Sequence, residues 1–295
     1  GNALPVSICD GGDRRDRPAH HLPAIRELTM SDTVIYEIEN QIATITLNRP
    51  ERHNAINFET YQALNDAFLA ANEDSTVRCI VFTGRGRSFC SGDDVVEIMA
   101  SSGGLSSSLN MQKDNQPAST TPAVVTAMRA SRCPIINAVN GAAVGFGMEL
   151  SLLCDIRIAS DSARFSEMFI RRGIIATSIS FDLLPGIVGP AIAAEMLLTG
   201  EIINAHQALQ AGLVSRVVQA DELMASALDL AAKIAANAPL AVERAKTGLN
   251  LKRDQKTDQM EQHLAESLRF LSGTEDHKES VAAFLEKRPA IYSGK

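Results

Sequence analysis

The chain has 295 residues, is 45% hydrophobic with no Trp, and carries a formal net charge of −7. That length suits one large domain or two modest ones, and with aromatics at 4% the core must be aliphatic. The acidic balance argues against a general nucleic-acid binder, whose surface must be basic, and no apolar run approaches the ~18 residues of a membrane-spanning helix.

Residues 1–29 carry Gly, Pro, Arg and Asp without a hydrophobic period. They lack the continuous apolar centre of a secretory signal, and Asp10, Asp13, Asp16 and Glu27 do not suit a transit peptide. They read as a disordered upstream extension or leader, ahead of a core over 30–220 and a helical region over 221–295. Val34, Tyr36 and Ile38 alternate with polar residues ahead of Asn40-Gln41 and IATITL, which predicts a hairpin stopped by Pro50. Tyr61, Leu64, Phe68 and Leu69 have the spacing of an amphipathic helix, and CIVFTG reads as a buried strand ending at Gly84. Residues 101–121, rich in Ser, Gly, Asn, Gln and Thr, predict a surface loop or mobile lid. A helix resumes over 122–131. CPIINAVNG is a second buried strand, GFGMELSLLCD a buried helix, IRIAS a strand and ARFSEM a short one. FDLLPGIVG and PAIAAEMLLTG suggest helices, EIINAHQALQAGLVSRVV a helix then a strand, and from Asp221 the pattern is almost wholly helical. Strands alternating with helices, then helices alone, predict an α/β core with a helical C-terminal region. Cys9, Cys79, Cys90, Cys133 and Cys154 are scattered without CxxC spacing, as expected of reduced, buried thiols in a cytoplasmic protein.

Several segments then line up with one family. TITLNRPERHNAIN, GRSFCSGDD, INAVNGAAVGFGMELSLLCDIRIAS, the run from Phe165 through Gly189, LTGEIINAHQALQAGLV and the closing AAFLEKR resemble the enoyl-CoA hydratase/isomerase, or crotonase, family. Any one segment is weak, but their order over about residues 32–292 is specific. The resemblance implies a ClpP-like spiral of β-β-α units with a C-terminal helical trimerisation region, assembled as a trimer or a dimer of trimers. It also implies an acyl-CoA substrate, with coenzyme A as part of that substrate and no separate cofactor.

A thioester reacts at Cα or Cβ by passing charge onto its carbonyl oxygen as an enolate. Preorganised N–H donors aimed at that oxygen are each worth about 3–4 kcal/mol in the transition state. By resemblance the donors are the backbone N–H groups of Ser91, in Phe89-Cys90-Ser91-Gly92-Asp93, and of Phe146, in Gly145-Phe146-Gly147. Phe146 stands where the family commonly has glycine and is expected to narrow the pocket. Glu149 lies in an otherwise apolar helix, where a carboxylate is costly unless paired or used. Burial would bring its pKa toward that of a working acid or base, and it matches the family's first catalytic glutamate, which holds and deprotonates water. The second catalytic glutamate falls at Phe169, which delivers no proton. Glu167 and Asp182 are the carboxylates near enough to replace it, each otherwise structural, and Thr177 stands where some isomerases carry a carboxylate. Also by resemblance, Arg52, Asn54 and Ala55, with Ser91, Asp94 and Val95, would cradle the pantetheine and adenine, and Phe284 would pack near the adenine. Lys287 and Arg288 would reach phosphates from a neighbouring subunit, or would simply be a solvated basic helix end.

The expected activity is hydration or isomerisation of an enoyl-CoA in fatty-acid or related acyl-CoA metabolism. The hydratase label is favoured, although isomerisation survives the loss at Phe169 more easily. The alternatives are other enolate chemistry (decarboxylase, racemase, CoA-ester hydrolase) and a non-catalytic acyl-CoA- or RNA-binding homologue. No G-x-S-x-G elbow, P-loop, G-x-G-x-x-G after a strand or H-E-x-x-H occurs, so no serine hydrolase triad, nucleotide hydrolysis, NAD or catalytic metal is expected.

Overall fold

A computed structural model describes residues 26–99, 122–253 and 257–295. The loop expected over 101–121 and residues 1–25 of the expected extension lie outside the described residues. Strands β2 (Val34–Glu39) and β3 (Ile42–Leu47) form the predicted hairpin, in register from Val34↔Leu47 to Glu39↔Ile42. Asn40 and Gln41 take φ of +50° and +67°, the paired left-handed positions that match a two-residue turn to the strand twist. Ahead of them β1 (Arg26–Ser31) pairs antiparallel with β2. Arg26–Thr29 therefore belongs to the sheet and corrects the boundary drawn at 29. RELTMS offers only Leu28 and Met30 as an apolar alternation, too short a pattern to mark a strand.

From β3 the large sheet continues through parallel strands β4 (Cys79–Gly84), β6 (Ile135–Val139), β8 (Ile156–Ser160) and β11 (Arg216–Val218). Every residue of β4 is buried, which explains its unbroken apolar run. Its side chains alternate between two layers. Ile80 and Phe82 enter the main core, whereas Cys79 and Val81 pack with Ala227 and Ala231 of the helix Leu223–Ala235.

A second sheet, ordered β10-β9-β7-β5, is built from β5 (Ser88–Cys90), β7 (Ala142–Val144), β9 (Arg164–Ser166) and β10 (Ile203–Asn204). Sequence alone marked only β9, because strands of two or three residues show no periodicity. The two sheets define the repeat of the fold. β4 and β5, β6 and β7, then β8 and β9 each place one strand in the large sheet and the next in the small one. The latter two pairs are followed by helices α3 (Phe146–Leu152) and α4 (Ser178–Val188). Helices α1 (Phe58–Glu73) and α2 (Ala123–Arg129) pack together on the main core.

Beyond Asp221 the expected helices are α7 (Leu223–Ala235), α8 (Pro239–Arg253), α9 (Thr257–Ser272) and α10 (Glu275–Glu286), after α5 (Pro190–Thr199) and α6 (Ala205–Gln210). This region is tied to the core by buried Lys246, whose Nζ lies 2.9 Å from Asp155 and donates to Cys133 O at 2.7 Å. The Arg78 guanidinium also donates to Ala235 O and Tyr292 O. Cys79, Cys90, Cys133 and Cys154 are buried and unbridged. Among the described residues no helix is long and apolar enough to cross a membrane.

Candidate active site

The chemistry-bearing segments start where the small sheet's parallel strands end. β5 runs into Ser91, β7 into Gly145 and β9 into Glu167. The parallel pairing of β5, β7 and β9 sets these three exits side by side.

At the first exit the structure corrects the donor expected from sequence. The Ser91 N–H is already donated to His53 O at 3.1 Å. Gly92, at φ +93°, then turns the chain, and its carbonyl accepts from Ile56 N while Asp94 N donates to Ile56 O. The N–H left between these bonds is that of Asp93, for which no acceptor is present among the described residues. Gly92 also permits the close approach to the second exit: a Cβ there would stand 2.9 Å from Val144 O and 3.4 Å from Phe146 N. Phe146 is the first residue of α3, so its N–H is one of those a helix leaves without an intrahelical acceptor. Gly147 completes the approach, since any side chain there would collide with the Cys90 backbone. Rather than filling the pocket alone, the Phe146 ring turns to the Tyr61 ring, centroid to centroid 5.1 Å. Ser91, Gly92, Asp93, Gly145, Phe146 and Phe169 share one cleft of about 70 Å³.

Glu149, on the first turn of α3, is completely buried. Its Oε1 accepts from the Thr177 N–H and hydroxyl, both at 2.8 Å, and from the Ser180 hydroxyl at 3.0 Å. Its Oε2 is buried with no hydrogen-bond partner among the described residues. Burial pushes its pKa up to about 7, opposed by the donors from Thr177 and Ser180. Glu167, 1% exposed, comes within 3.0 Å of the same Ser180 hydroxyl, and burial together with the Glu149 charge pushes its carboxyl up to about 8. Asp93 is a third raised carboxyl, pushed to about 6 by burial while the Tyr61 hydroxyl donates to it at 2.7 Å.

Of the other expected residues, Phe169 lines the cleft as an apolar wall, 7% exposed, and Val95 lines its outer side. Asp182 does not turn inward. Two positions past Ser180 on α4, it is exposed and pairs with Arg129 at 3.7 Å, since two helical residues rotate a side chain to the opposite side. Asn54 is spent internally, accepting from Arg49 N and donating to Arg85 O and Ser88 O. Asp94 likewise binds Arg49 and the N–H groups of Val96 and Glu97. The side chains of Asn54 and Asp94 thus brace the loops and are not free for a ligand. Ala55 is buried, its carbonyl held by Arg49, and Arg52 is exposed. Lys287 is exposed at φ +54°, whereas Arg288 is clamped by Glu279 at 2.6 and 2.8 Å and by Glu286 at 2.6 Å. Its fork is therefore met by carboxylates of its own chain. Phe284 lies in α10 with its side chain outside the described residues.

Sequence reasoning missed Asp93 as a donor and Tyr61 and Ser180 as partners. Ser180 carried a usable signal: it sits three and four residues before Leu183 and Leu184, on the apolar stripe of α4, where a hydroxyl must find a buried partner. Among the described residues no three His, Cys, Asp or Glu side chains converge as a metal would require.

Comparison with known proteins adds the context. A family model for enoyl-CoA hydratase/isomerase matches residues 37–295. The chain is 36% identical over 269 residues to a 2,3-dehydroadipyl-CoA hydratase of Escherichia coli, covering 90% of this chain and 100% of that one. It is 33% identical over 265 residues to a crotonyl-CoA hydratase of Syntrophomonas wolfei, covering 90% and 99%. A crystallised enoyl-CoA hydratase subunit from Geobacillus kaustophilus superposes with a TM-score of 0.80 at 32% identity, over 90% of this chain and all of that one.

Proposed function

The chain belongs to the enoyl-CoA hydratase/isomerase family, and from that premise we propose that it binds an acyl-CoA thioester, holds the enolate oxygen between the N–H groups of Asp93 and Phe146, and moves the proton with Glu149. The observation that carries this reading is Glu149 itself: a fully buried carboxyl with one oxygen held by three donors and the other without a partner among the described residues.

In hydration, ionised Glu149 takes a proton from water as the hydroxyl adds to Cβ. The electron pair of the double bond flows to the thioester oxygen, and the enolate then takes a proton back at Cα. In isomerisation the same carboxyl takes a proton from one carbon and returns it to another. Both routes need a base whose pKa lies near neutrality, and burial supplies one at about 7. Phe169, in place of a second acid at the cleft wall, favours the route in which one carboxyl does both transfers. Leu249, Leu268 and Leu285, exposed on α8, α9 and α10, support assembly of the C-terminal helices into a trimer, which sedimentation tests. No separate cofactor is required by either route.

The purified chain is to be assayed for water addition to crotonyl-CoA and for the double-bond shift of a 3-enoyl-CoA. Glu149→Gln is expected to lower the observed activity by roughly 10²–10⁴-fold. Undiminished turnover in that variant would remove Glu149 from the reaction and the proposal with it.

A further inference from the structure

Glu167 is buried, touches the cluster, and has no part in the reaction as written above. Its connection to Glu149 runs through a single hydroxyl. Ser180 Oγ is 3.0 Å from Glu149 Oε1 and 3.0 and 2.9 Å from the two oxygens of Glu167. A hydroxyl has one proton, so it cannot donate to both carboxylates. For both contacts to be hydrogen bonds, one carboxyl must itself be a donor. Glu149 Oε1 already accepts two other hydrogen bonds, from the Thr177 amide and hydroxyl, and that hydroxyl also accepts from Ile179 N. Oε1 is therefore an acceptor, and the remaining donor is Glu167.

We propose that Glu167 is a positioning residue that acts on Glu149 through Ser180: held as the neutral acid, it donates to the Ser180 hydroxyl and so directs the hydroxyl's own proton onto Glu149 Oε1. The chain of donors runs one way, from Glu167 to Ser180 to Glu149, and leaves Glu149 Oε2 as the free basic oxygen. The inference rests on the catalytic reading of Glu149 given above.

Loss of the Glu167 proton would undo this arrangement. Ser180 would turn its proton to the two oxygens of Glu167, and a second buried negative charge would oppose the enolate charge as it forms. The groups facing the pair are few. Glu149 comes from α3, Thr177 and Ser180 from the start of α4, Asp93 from the β5 exit and Tyr61 from α1. Arg171, four residues beyond Glu167, donates outward to Thr199 O, Arg172 is exposed at the cleft, and Asp182 is taken by Arg129. Burial and the Glu149 charge together raise the Glu167 carboxyl to about 8, opposed by the Ser180 hydroxyl.

Two measurements on the full chain decide the matter. Infrared difference spectra of the native chain against Glu167→Gln at about neutral pH should show loss of a protonated-carboxyl C=O band; loss of an ionised carboxylate band instead overturns the proposal. The native kcat/KM should fall above a pH of about 8, approaching tenfold per pH unit well beyond it, and Glu167→Gln, whose amide still donates but does not ionise, should lose that fall. An alkaline fall shared by both chains overturns it. Should Glu167→Gln not fold, Ser180→Ala carries the test, with kcat/KM expected roughly tenfold lower and the alkaline fall reduced, and a native rate and profile overturning the proposal. Full turnover in Glu149→Gln would instead sink the catalytic reading, whereas an inactive Glu149→Gln beside an unaltered Glu167→Gln profile sinks this inference alone.

Discussion

Glu149 lies on the short buried helix α3 and Asp155 three residues past its end, and the chain treats the two carboxylates in opposite ways. Asp155 is met by the Lys246 ammonium at 2.9 Å and by the Ile135 N–H at 2.7 Å, so its charge is cancelled where it lies. Glu149 is met by two hydroxyls and one amide, with a second carboxyl behind Ser180 and no cation among the described residues. A buried charge with a countercharge is a structural device, whereas one held only by neutral donors keeps its proton within reach of neutral pH. The difference teaches how a single helix can anchor the C-terminal region at one end and present a base at the other.

Breaking the paired end should have the largest effect. Lys246→Met leaves the partly buried Asp155 without a countercharge and is expected to cost up to about 3 kcal/mol in urea unfolding; a loss under about 1 kcal/mol would mean the pair is not what ties the C-terminal helices down. The unpaired end should show itself in pH. Glu149 titrates at about 7 in the folded chain and near 4.5 when unfolded, so between those values the folded state holds the extra proton. Stability should therefore fall as pH rises through that window, with Glu149 contributing up to about 1.4 kcal/mol per pH unit beside the like-signed shares of Asp93 and Glu167. Glu149→Gln should lessen that slope, and a mutant with the native slope would show that Glu149 does not contribute to it. The smallest effect is expected from Thr177→Val, which removes one of three donors to Oε1 and leaves the backbone amide in place. It should move the acid limb of kcat/KM up by roughly one pH unit or less and cost about 1 kcal/mol of stability through the lost cap on Ile179 N. An unmoved or lowered limb would remove Thr177 from the tuning of Glu149.

Legibility from sequence followed the physics of each feature. The Asn40-Gln41 hairpin, the buried helix around Glu149 and the apolar strand Cys79–Gly84 depend on local chemistry and periodicity, and they stand as read. Asp93 was hidden because the direction of an N–H in a turn depends on the φ of Gly92, which displaced the donor by two residues from Ser91. Asp182 was taken as a pocket candidate and Ser180 passed over, because a two-residue offset on α4 exchanges the solvent side for the core side. The small sheet escaped because its strands acquire their identity only by pairing with each other.

The Phe146 side chain belongs to the main core, 3% exposed and packed at a tilt against Tyr61, while its amide borders the cleft. A reaction centre carried on a loop commonly softens well before the protein around it, because loops open locally at low free energy. Here the amide cannot drift unless the aromatic anchor leaves the interior. Heat should therefore leave turnover intact until the whole molecule gives way, with inactivation and melting occurring together.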